Sequence, residues 1–296
     1  MSIIEKALGK LSTPAKTDTG NTPSLALEPV EVKPETPAHA YPPSASVAPS
    51  SRTLNLDLKR LSAHGFLTSA DVRGKISEEY RMIKRPLLAN AFGPNAVQKG
   101  NLIMVTSSLP GEGKSFSTIN LAISIAMELD RTVLLVDADV AKPSLPQYLG
   151  FQAEQGLLDV LRGSLDLSNV ILRTNVEKLS ILPAGKTYTR ATELLASEAM
   201  DRLITDVANR YSDRLVLFDS PPILATSEAS VLASHMGQIV MVVESEKTPK
   251  SALREALSRI AGTCDVVSII LNKSSVPTAG DYYGYYGYGG YGKPAE

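Results

Sequence analysis

Short apolar runs alternate with helical patterns of hydrophobic residues over most of the chain. The strand-like runs, apolar at nearly every position, lie at 101–106, 132–137, 179–183, 214–219, 238–244 and 266–271. Between them, apolar residues at helical spacing predict helices near 115–129, 191–210, 227–236 and 249–261. Continuous hydrophobicity is typical of strands that are buried on both faces of a parallel sheet. The alternation therefore predicts an α/β fold with one doubly wound, mainly parallel sheet.

A further amphipathic helix is predicted upstream of the first of these strands, in the stretch KISEEYRMIKRPLL. Its apolar face consists of Ile76, Tyr80, Ile83 and Leu87, which recur at helical spacing. Pro86 is expected to stop or kink this helix, because proline has no backbone N–H and clashes with the preceding turn.

The two ends of the chain have a different character. Apolar residues at helical spacing in 1–11 predict a short amphipathic peptide, either a frayed end or a docking segment. Residues 12–53 contain eight of the nineteen prolines and a single aromatic residue, which is typical of a disordered spacer. We therefore expect a mostly disordered, proline-rich spacer over 12–71, a globular domain over 72–273 and a flexible tail rich in tyrosine and glycine over 274–296.

Composition narrows the classes of function. A length of 296 residues with 43% hydrophobic residues accommodates one large α/β domain with appendages. The net charge of −1 argues against a general polyanion binder, so no nucleic-acid partner is expected. The single cysteine, Cys264, excludes an internal disulfide and permits a reducing compartment. No apolar run approaches the roughly 18 residues that a membrane span needs, and no secretion signal is evident, so we expect a cytoplasmic protein.

The stretch VTSSLPGEGKSFSTIN joins a predicted strand to a predicted helix, which is the context of a phosphate-binding loop. Gly111 and Gly113 allow backbone N–H groups to point at phosphate oxygens, and Lys114 can bridge the β- and γ-phosphates. Ser115 can offer its hydroxyl to Mg²⁺. The usual pattern begins with glycine, whereas this chain has Ser108 there. The residues expected to contact nucleotide are Pro110, Gly111, Glu112, Gly113, Lys114, Ser115 and Phe116.

Three aspartates follow predicted strands. VLLVDADVAKP contains Asp137 and Asp139 where the second strand ends, and LVLFDSPPIL contains Asp219 at the end of another strand. Because ligands bind outside the carboxyl ends of parallel strands, all three can approach the phosphate loop. Asp219 is then the expected Walker B residue that orients Mg²⁺, and Asp137 contacts the metal shell and accepts a proton, while Asp139 can do either. An isolated aspartate in such a place is often only a helix cap or a turn residue.

The segments SSLPGEGKS, VDAD and FDSPP, with the tyrosine-rich end GDYYGYYGYGGYG, resemble the signatures of bacterial tyrosine kinases. These P-loop enzymes are associated with exopolysaccharide and capsule production. The resemblance covers about residues 72–292, and MSIIEKALGKL with the proline-rich spacer is similar to the exosortase-associated subgroup. It implies a P-loop NTPase fold, ATP as phosphoryl donor and Mg²⁺ as cofactor. It also implies ring-like homo-oligomers, recruitment to the inner face of the plasma membrane and activation by a membrane-embedded chain-length regulator.

The same resemblance assigns roles to particular residues. EEYRMIK is similar to an oligomerisation motif E-x-x-R-x-x-R, with Glu78 and Arg81 matching and Lys84 replacing the second arginine. Lysine keeps the charge but not the bidentate fork of arginine. The motif in isolation is equally compatible with a solvated charged helix face. The family also often has arginine before the proline that follows VDAD, where this chain has Lys142. The matching catalytic residues are Lys114, Asp137, Asp139 and Asp219, the metal ligands are Ser115, Asp137 and Asp219, and the expected phosphoacceptors are Tyr282, Tyr283, Tyr285, Tyr286, Tyr288 and Tyr291.

Asn272 follows the last predicted strand, at the place where related P-loop ATPases often contact the base, although asparagine is equally common in turns.

Two other functions remain open at this point. A partitioning or division-site ATPase shares the expected fold, but such proteins usually carry an additional lysine at the second position of the phosphate loop, where this chain has Leu109. A scaffold with an adhesive Tyr/Gly tail is a third hypothesis, which leaves the nucleotide site without a use.

Overall fold

The computed structural model describes residues 53–68, 74–187, 189–210 and 213–274. The predicted peptide at 1–11, the spacer up to residue 52 and the tail from residue 275 onward lie outside the described residues. The six tail tyrosines therefore lie outside them as well.

One sheet of eight strands forms the centre of the described chain, and its strands are ordered β1-β4-β5-β3-β6-β2-β7-β8. The strands are β1 (Thr53–Leu54), β2 (Leu102–Ser107), β3 (Thr132–Asp137), β4 (Leu172–Thr174), β5 (Leu179–Leu182), β6 (Arg214–Asp219), β7 (Gln238–Glu244) and β8 (Val266–Asn272). Every neighbouring pair is parallel except β4 and β5. The predicted α/β fold with a mainly parallel sheet is confirmed. All six predicted strands are present, whereas β1 and β4 are too short to show a strand period.

Ten helices connect these strands in the described ranges. They are α1 (Leu58–Ala63), α2 (Lys75–Phe92), α3 (Lys114–Ala126), α4 (Leu145–Leu149), α5 (Leu157–Leu161), α6 (Leu167–Val170), α7 (Ala191–Leu195), α8 (Glu198–Arg210), α9 (Glu228–Ala233) and α10 (Lys250–Arg259). The long helix predicted over 191–210 is two helices, α7 and α8, that are separated by a short turn. The short helices α4, α5 and α6 were not predicted, because four or five residues carry too little periodicity.

Of the two alternatives expected for Pro86, a stop is wrong, because Pro86 lies inside helix α2 and does not end it, and a kink stays a prediction. The helix continues to Phe92 and stops at Gly93. Pro86 is exposed, and Leu87 immediately after it is 1% exposed. Burial of the apolar face of the helix offsets the lost hydrogen bond, so tertiary packing overrides the local signal.

The central strands β2, β3, β6 and β7 are covered on both faces, whereas Val267, Ile269 and Leu271 of the edge strand β8 are exposed. One apolar cluster joins α1, α2 and α3 to residues such as Ile103, Val105 and Leu135. The other cluster joins α5, α7, α8, α9 and α10 to alternate residues of the same strands, such as Leu102, Met104 and Leu134. Two covered faces explain why these four central strands are apolar at nearly every position, and the expectation of burial on both faces is wrong for β8. No helix in the described ranges has the length and apolar character that a membrane span requires.

Residues 53–68 correct the predicted boundary at residue 72. Leu56, Leu61, Phe66 and Leu67 are each at most 4% exposed and belong to the core. The N–H of Leu67 donates to Oδ1 of Asn120 in α3 at 2.7 Å. The folded part of the chain therefore already includes Thr53, and the expectation of a mostly disordered spacer up to residue 71 is wrong for this stretch.

Candidate nucleotide and metal site

The phosphate loop connects β2 to α3, as the sequence predicts. Gly111 and Gly113 have φ angles of +89° and +94°, in the left-handed region that favours glycine. A Cβ atom on Gly113 would also clash with the side-chain amide of Asn272. Ser108 replaces the usual first glycine without strain, since its φ is not positive and its side chain is buried beside Met241.

Lys114 begins α3 and pairs with Asp139, which follows β3. The Nζ atom of Lys114 lies 2.9 Å from Oδ2 of Asp139, and both side chains are largely buried. Lys114 Nζ also donates to the hydroxyl of Ser115 at 3.3 Å. The structure therefore brings the predicted lysine and this aspartate into direct contact.

Asp219 ends β6 and is fully buried among hydroxyl groups. Its Oδ1 accepts from the hydroxyl of Thr118 at 3.2 Å, and the hydroxyl of Ser144 lies 3.3 Å from its Oδ2. The Ser144 hydroxyl lies 2.8 Å from that of Ser115. Sequence reasoning did not identify Thr118 or Ser144. Thr118 is one helical turn after Lys114, which is a signal that could have been used, whereas nothing local marks Ser144.

Asp137 ends β3 beside Asp219 on the neighbouring strand β6. Its Oδ2 accepts the N–H of Leu145, at the start of α4, at 3.1 Å. Its Oδ1 is buried and has no hydrogen-bond partner among the described residues. Buried polar atoms are normally paired, so an unpaired carboxylate oxygen here marks a position for a cation or a transferred proton.

The electrostatics of the site are dominated by burial and by three close carboxylates. Burial, with a further contribution from Asp219, raises the pKa of Asp137 well above its ordinary value. Burial also raises the pKa of Asp219, against the opposing effect of Lys114. For Lys114, burial lowers the pKa, but the negative charges of Asp219, Asp139 and Asp137 outweigh it, so the pKa is raised overall. Lys114 is therefore charged at neutral pH.

A cavity of about 400 Å³ opens beside these groups. The phosphate loop forms part of its wall, and residues around α4 together with the segment after β6 form the rest. The lining residues outside the loop include Asp139, Lys142, Ser144, Gln147, Tyr148, Pro221, Pro222 and Thr226. Tyr148 is 43% exposed and contacts Phe66 edge-on, with 5.9 Å between the ring centres. The cavity provides room for phosphates and for an approaching side chain.

The donor set fits a magnesium nucleotide. No group of three or more His, Cys, Asp or Glu side chains is placed to hold a metal ion within the described ranges. Mg²⁺ commonly needs only one or two carboxylates, because waters and substrate phosphates complete its coordination. Ser115, Asp137 and Asp219 meet that requirement, and the unpaired oxygen of Asp137 is available.

Asn272 and Phe116, two other residues predicted to contact nucleotide, each contact another residue of this chain. Nδ2 of Asn272 donates to the carbonyl of Glu112 at 2.9 Å, so Asn272 does lie at the phosphate loop. Its contact with the base stays a prediction. The ring of Phe116 packs against Phe66, with 5.0 Å between the ring centres, and its contact with nucleotide also stays a prediction.

The three residues of the proposed oligomerisation motif on α2 lie in two different environments. Glu78 and Arg81 pair with each other on a partly exposed face. Lys84 instead is 5% exposed, donates to the carbonyl of Ser124 at 2.6 Å and pairs with Glu128 at 2.6 Å. The assignment of Lys84 to an interface between chains is therefore corrected, because its ammonium group is held inside this chain.

Known proteins resemble this chain over the same region. A family described as AAA domain matches residues 100–272. The tyrosine-protein kinase YwqD of Bacillus subtilis is 32% identical over 212 residues, which are 70% of this chain and 86% of YwqD. The putative tyrosine-protein kinase EpsB of Ralstonia solanacearum is 35% identical over 185 residues, 62% of this chain, so the match spans about a quarter (24%) of EpsB. The crystal structure of the chimerical protein CapA2B2 superposes with a TM-score of 0.60 and 26% identity, covering 75% of this chain and 92% of that one.

Proposed function

The chain belongs to the family of bacterial tyrosine-protein kinases, and we propose that it transfers the γ-phosphoryl group of ATP to tyrosines of its own C-terminal tail. The observation that carries the proposal is the convergence of Lys114, Asp137 and Asp219 on the phosphate loop, where one buried carboxylate oxygen has no hydrogen-bond partner among the described residues. Six acceptor tyrosines lie between residues 280 and 292.

In the proposed reaction, the bond between the γ-phosphorus and the β–γ bridging oxygen breaks and a bond to the phenol oxygen forms. ADP is the leaving group. The transition state is loose, so charge neutralisation and positioning matter more than a strong nucleophile. Lys114 carries a positive charge, and the dipoles of the loop N–H groups add partial positive charge at the phosphates. When bound, Mg²⁺ supplies further positive charge at the phosphates, and Ser115, Asp137 and Asp219 are the residues that would hold it.

Asp137 is the proposed proton acceptor. An ordinary tyrosine has a pKa of about 10, so the phenol reaches the site protonated. The raised pKa of Asp137 makes its carboxylate a better base than an exposed aspartate, which suits late removal of the phenol proton. Asp139 holds Lys114 in the site through their ion pair.

We place the acceptor tail on a neighbouring subunit of a homo-oligomer. Treated as a random coil, residues 274–296 reach roughly 25 Å, from about 5–6 Å × √n. That distance is close to one domain diameter, so transfer between subunits is sterically accessible. Each phosphate adds about −1.5 to −2 charges, and we propose that full phosphorylation dissociates the assembly. Size-exclusion chromatography with light scattering would then show a lower mass after phosphorylation, and an unchanged mass would reject the proposed dissociation.

The biological setting follows from the sequence resemblance. We propose that the kinase regulates exopolysaccharide synthesis and export and that a membrane-embedded chain-length regulator activates it at the inner face of the membrane. Purified protein is to be assayed with and without a cytoplasmic fragment of such a regulator. Stimulation of tyrosine phosphorylation by the fragment is expected, and equal rates with and without it would contradict the activator.

The central experiment is incubation with Mg-ATP followed by detection of phosphotyrosine. We expect signal in the wild type, none in Lys114→Met, and none in a variant with all six tail tyrosines changed to phenylalanine. Mixing the last two variants tests transfer between chains, because the phenylalanine variant has an intact site and Lys114→Met has an intact tail. Phosphotyrosine in the mixture supports transfer in trans. Phosphate release without phosphotyrosine in the wild type would instead favour an ATPase switch.

A further inference from the structure

Glu112 lies in the middle of the phosphate loop, and its buried carboxylate has two donors. The side chain is 3% exposed. Its Oε2 accepts the N–H of Leu109 at 2.7 Å, and its Oε1 accepts the hydroxyl of Thr248. The Thr248 hydroxyl in turn accepts the N–H of Glu244 at 3.1 Å. A buried carboxylate is tolerated where donors of this kind satisfy it, so Glu112 ties the loop to the segment after β7.

The loop carbonyls are held from the same direction. The side-chain amide of Asn272 donates to the carbonyl of Glu112 at 2.9 Å, and the ammonium of Lys273 donates to the carbonyl of Gly111 at 2.9 Å. Lys273 also pairs with Glu244 at 3.1 Å. These five residues, which we name the loop brace, are Glu112, Glu244, Thr248, Asn272 and Lys273.

The direction of these bonds matters for phosphate binding. In a trans peptide the C=O and the following N–H point in opposite directions. Holding the carbonyls of Gly111 and Glu112 toward the brace therefore turns the N–H groups of Glu112 and Gly113 away from it. Those N–H groups are among the ones that the loop would present to a phosphate.

The sheet order places the brace opposite the catalytic aspartates. Strand β2, which leads into the loop, has β6 on one side and β7 on the other, with β8 beyond β7. Asp219 ends β6 and Asp137 ends β3 beyond it, whereas the brace residues outside the loop lie at or just after the ends of β7 and β8. The loop is therefore held between two groups of side chains that come from opposite halves of the sheet.

We propose that the loop brace is a positioning device that pre-orients the phosphate-loop N–H groups, with Thr248 and Glu112 as its central pair. Thr248 acts by holding Glu112 and need not touch the nucleotide, so it is a positioning residue. The inference rests on the proposed nucleotide site but not on tyrosine as the acceptor. Loss of the Thr248 hydroxyl should therefore weaken nucleotide binding before it affects the fold.

The test compares Thr248→Val with Thr263→Val. Both threonines are partly buried, and Thr263 donates to the carbonyl of Ile260 at 2.7 Å after α10, at the end of the sheet away from the loop. Isothermal titration with Mg-ADP and thermal unfolding are measured for each variant. We expect Thr248→Val to weaken Mg-ADP binding about tenfold, as for loss of a hydrogen bond to a charged group. Thr263→Val should bind like the wild type at a similar unfolding temperature.

Two further variants sharpen the result. Thr248→Ser keeps the hydroxyl and should restore most of the affinity. In a double-mutant cycle, Glu112→Ala combined with Thr248→Val should weaken binding less than the sum of the single changes, because each single change removes the same hydrogen bond between Thr248 and Glu112. Binding by Thr248→Val within twofold of the wild type would overturn the brace, as would an equal loss in Thr263→Val. If the wild type binds Mg-ADP but forms no phosphotyrosine, the kinase proposal is rejected. The comparison of Mg-ADP binding among the brace variants would still test the loop brace.

Discussion

The negative charge of Asp137 is costly to the folded chain, because the side chain is buried beside another carboxylate. Burial and the neighbouring Asp219 raise its pKa in the folded state. The stability that such a group contributes is fully present below its unfolded pKa of about 3.9 and is lost as the pH rises through the folded pKa. We therefore expect Asp137→Asn, measured without nucleotide, to unfold at a higher temperature than the wild type near pH 7.5. A gain of about 1 kcal/mol would appear as roughly 2–4 °C.

This advantage should shrink as the pH falls through the folded pKa and disappear at about pH 3, below the unfolded pKa, where the wild-type side chain is protonated in both states. Differential scanning calorimetry across this range measures it. The exposed Asp130→Asn is the matched control and should change little at any pH. Asp137→Asn should also lose phosphotyrosine formation. An Asp137→Asn protein that is less stable than the wild type near neutrality would contradict this account.

Lys84 and Arg81, on the same helix, are expected to contribute very differently to the stability of the folded chain. Lys84→Ala removes a buried side chain, its bond to Ser124 and its ion pair with Glu128, so we expect a loss of about 1–3 kcal/mol in the free energy of unfolding. Arg81→Ala removes a partly exposed side chain, and surface substitutions usually stay within about 0.5 kcal/mol. Urea denaturation gives both values.

The assembly state distinguishes the two residues further. If Arg81 lies at an interface, light scattering should show a lower mass for Arg81→Ala. A Lys84→Ala protein of wild-type stability but reduced mass would return Lys84 to the interface and contradict the placement described above.

At the scale of the element, α2 contains a local defect that its packing tolerates. Pro86 is exposed on this 18-residue helix, so its ring fills no place in the core. Pro86→Ala restores an N–H that can donate within the helix. Proline costs about 3 kcal/mol relative to alanine in a helix interior, and part of that returns through greater freedom of the unfolded chain. We expect a gain of about 1–3 kcal/mol by chemical denaturation.

The neighbouring Arg85→Ala is the control for this substitution, because Arg85 is also exposed on α2. It should leave stability within about 0.5 kcal/mol of the wild type. No gain in Pro86→Ala would mean that the helix is already relaxed around the proline.

For the whole molecule, residues 53–68 decide where the folded unit begins. Leu56, Leu61, Phe66 and Leu67 are buried, and burying one such side chain is worth about 1.5–3 kcal/mol. Their combined removal approaches the total stability of an ordinary domain, about 5–15 kcal/mol. We expect a chain starting at Val72 to lose cooperative thermal unfolding. A chain starting at Ala48, where the larger compact unit begins, should keep it. Equal unfolding curves for the two chains would contradict this boundary.

Much of the architecture could be predicted because a strand that is buried on both faces is visible in the sequence as a continuous apolar run. Strands β2, β3 and β6 lie between two covered faces, and this produces the continuous apolar runs from which they were predicted. Gly111, Gly113 and Lys114 follow one another directly, so the loop conformation and its chemistry can be read from one short segment. The position of Asp137 and Asp219 after parallel strands likewise predicted that they would meet.

The sequence by itself thus determined the fold class, the phosphate loop and the aspartates at the strand ends. The tertiary structure alone decided which side chains complete the site. Ser144 beside Ser115, Thr248 beside Glu112 and Lys84 beside Glu128 are contacts between residues far apart in the chain. No periodicity or turn chemistry records such a contact, since it depends on how strands and helices pack. Packing also keeps α2 helical through Pro86 and orders residues 53–68, because burying apolar surface there outweighs the local preference of the chain.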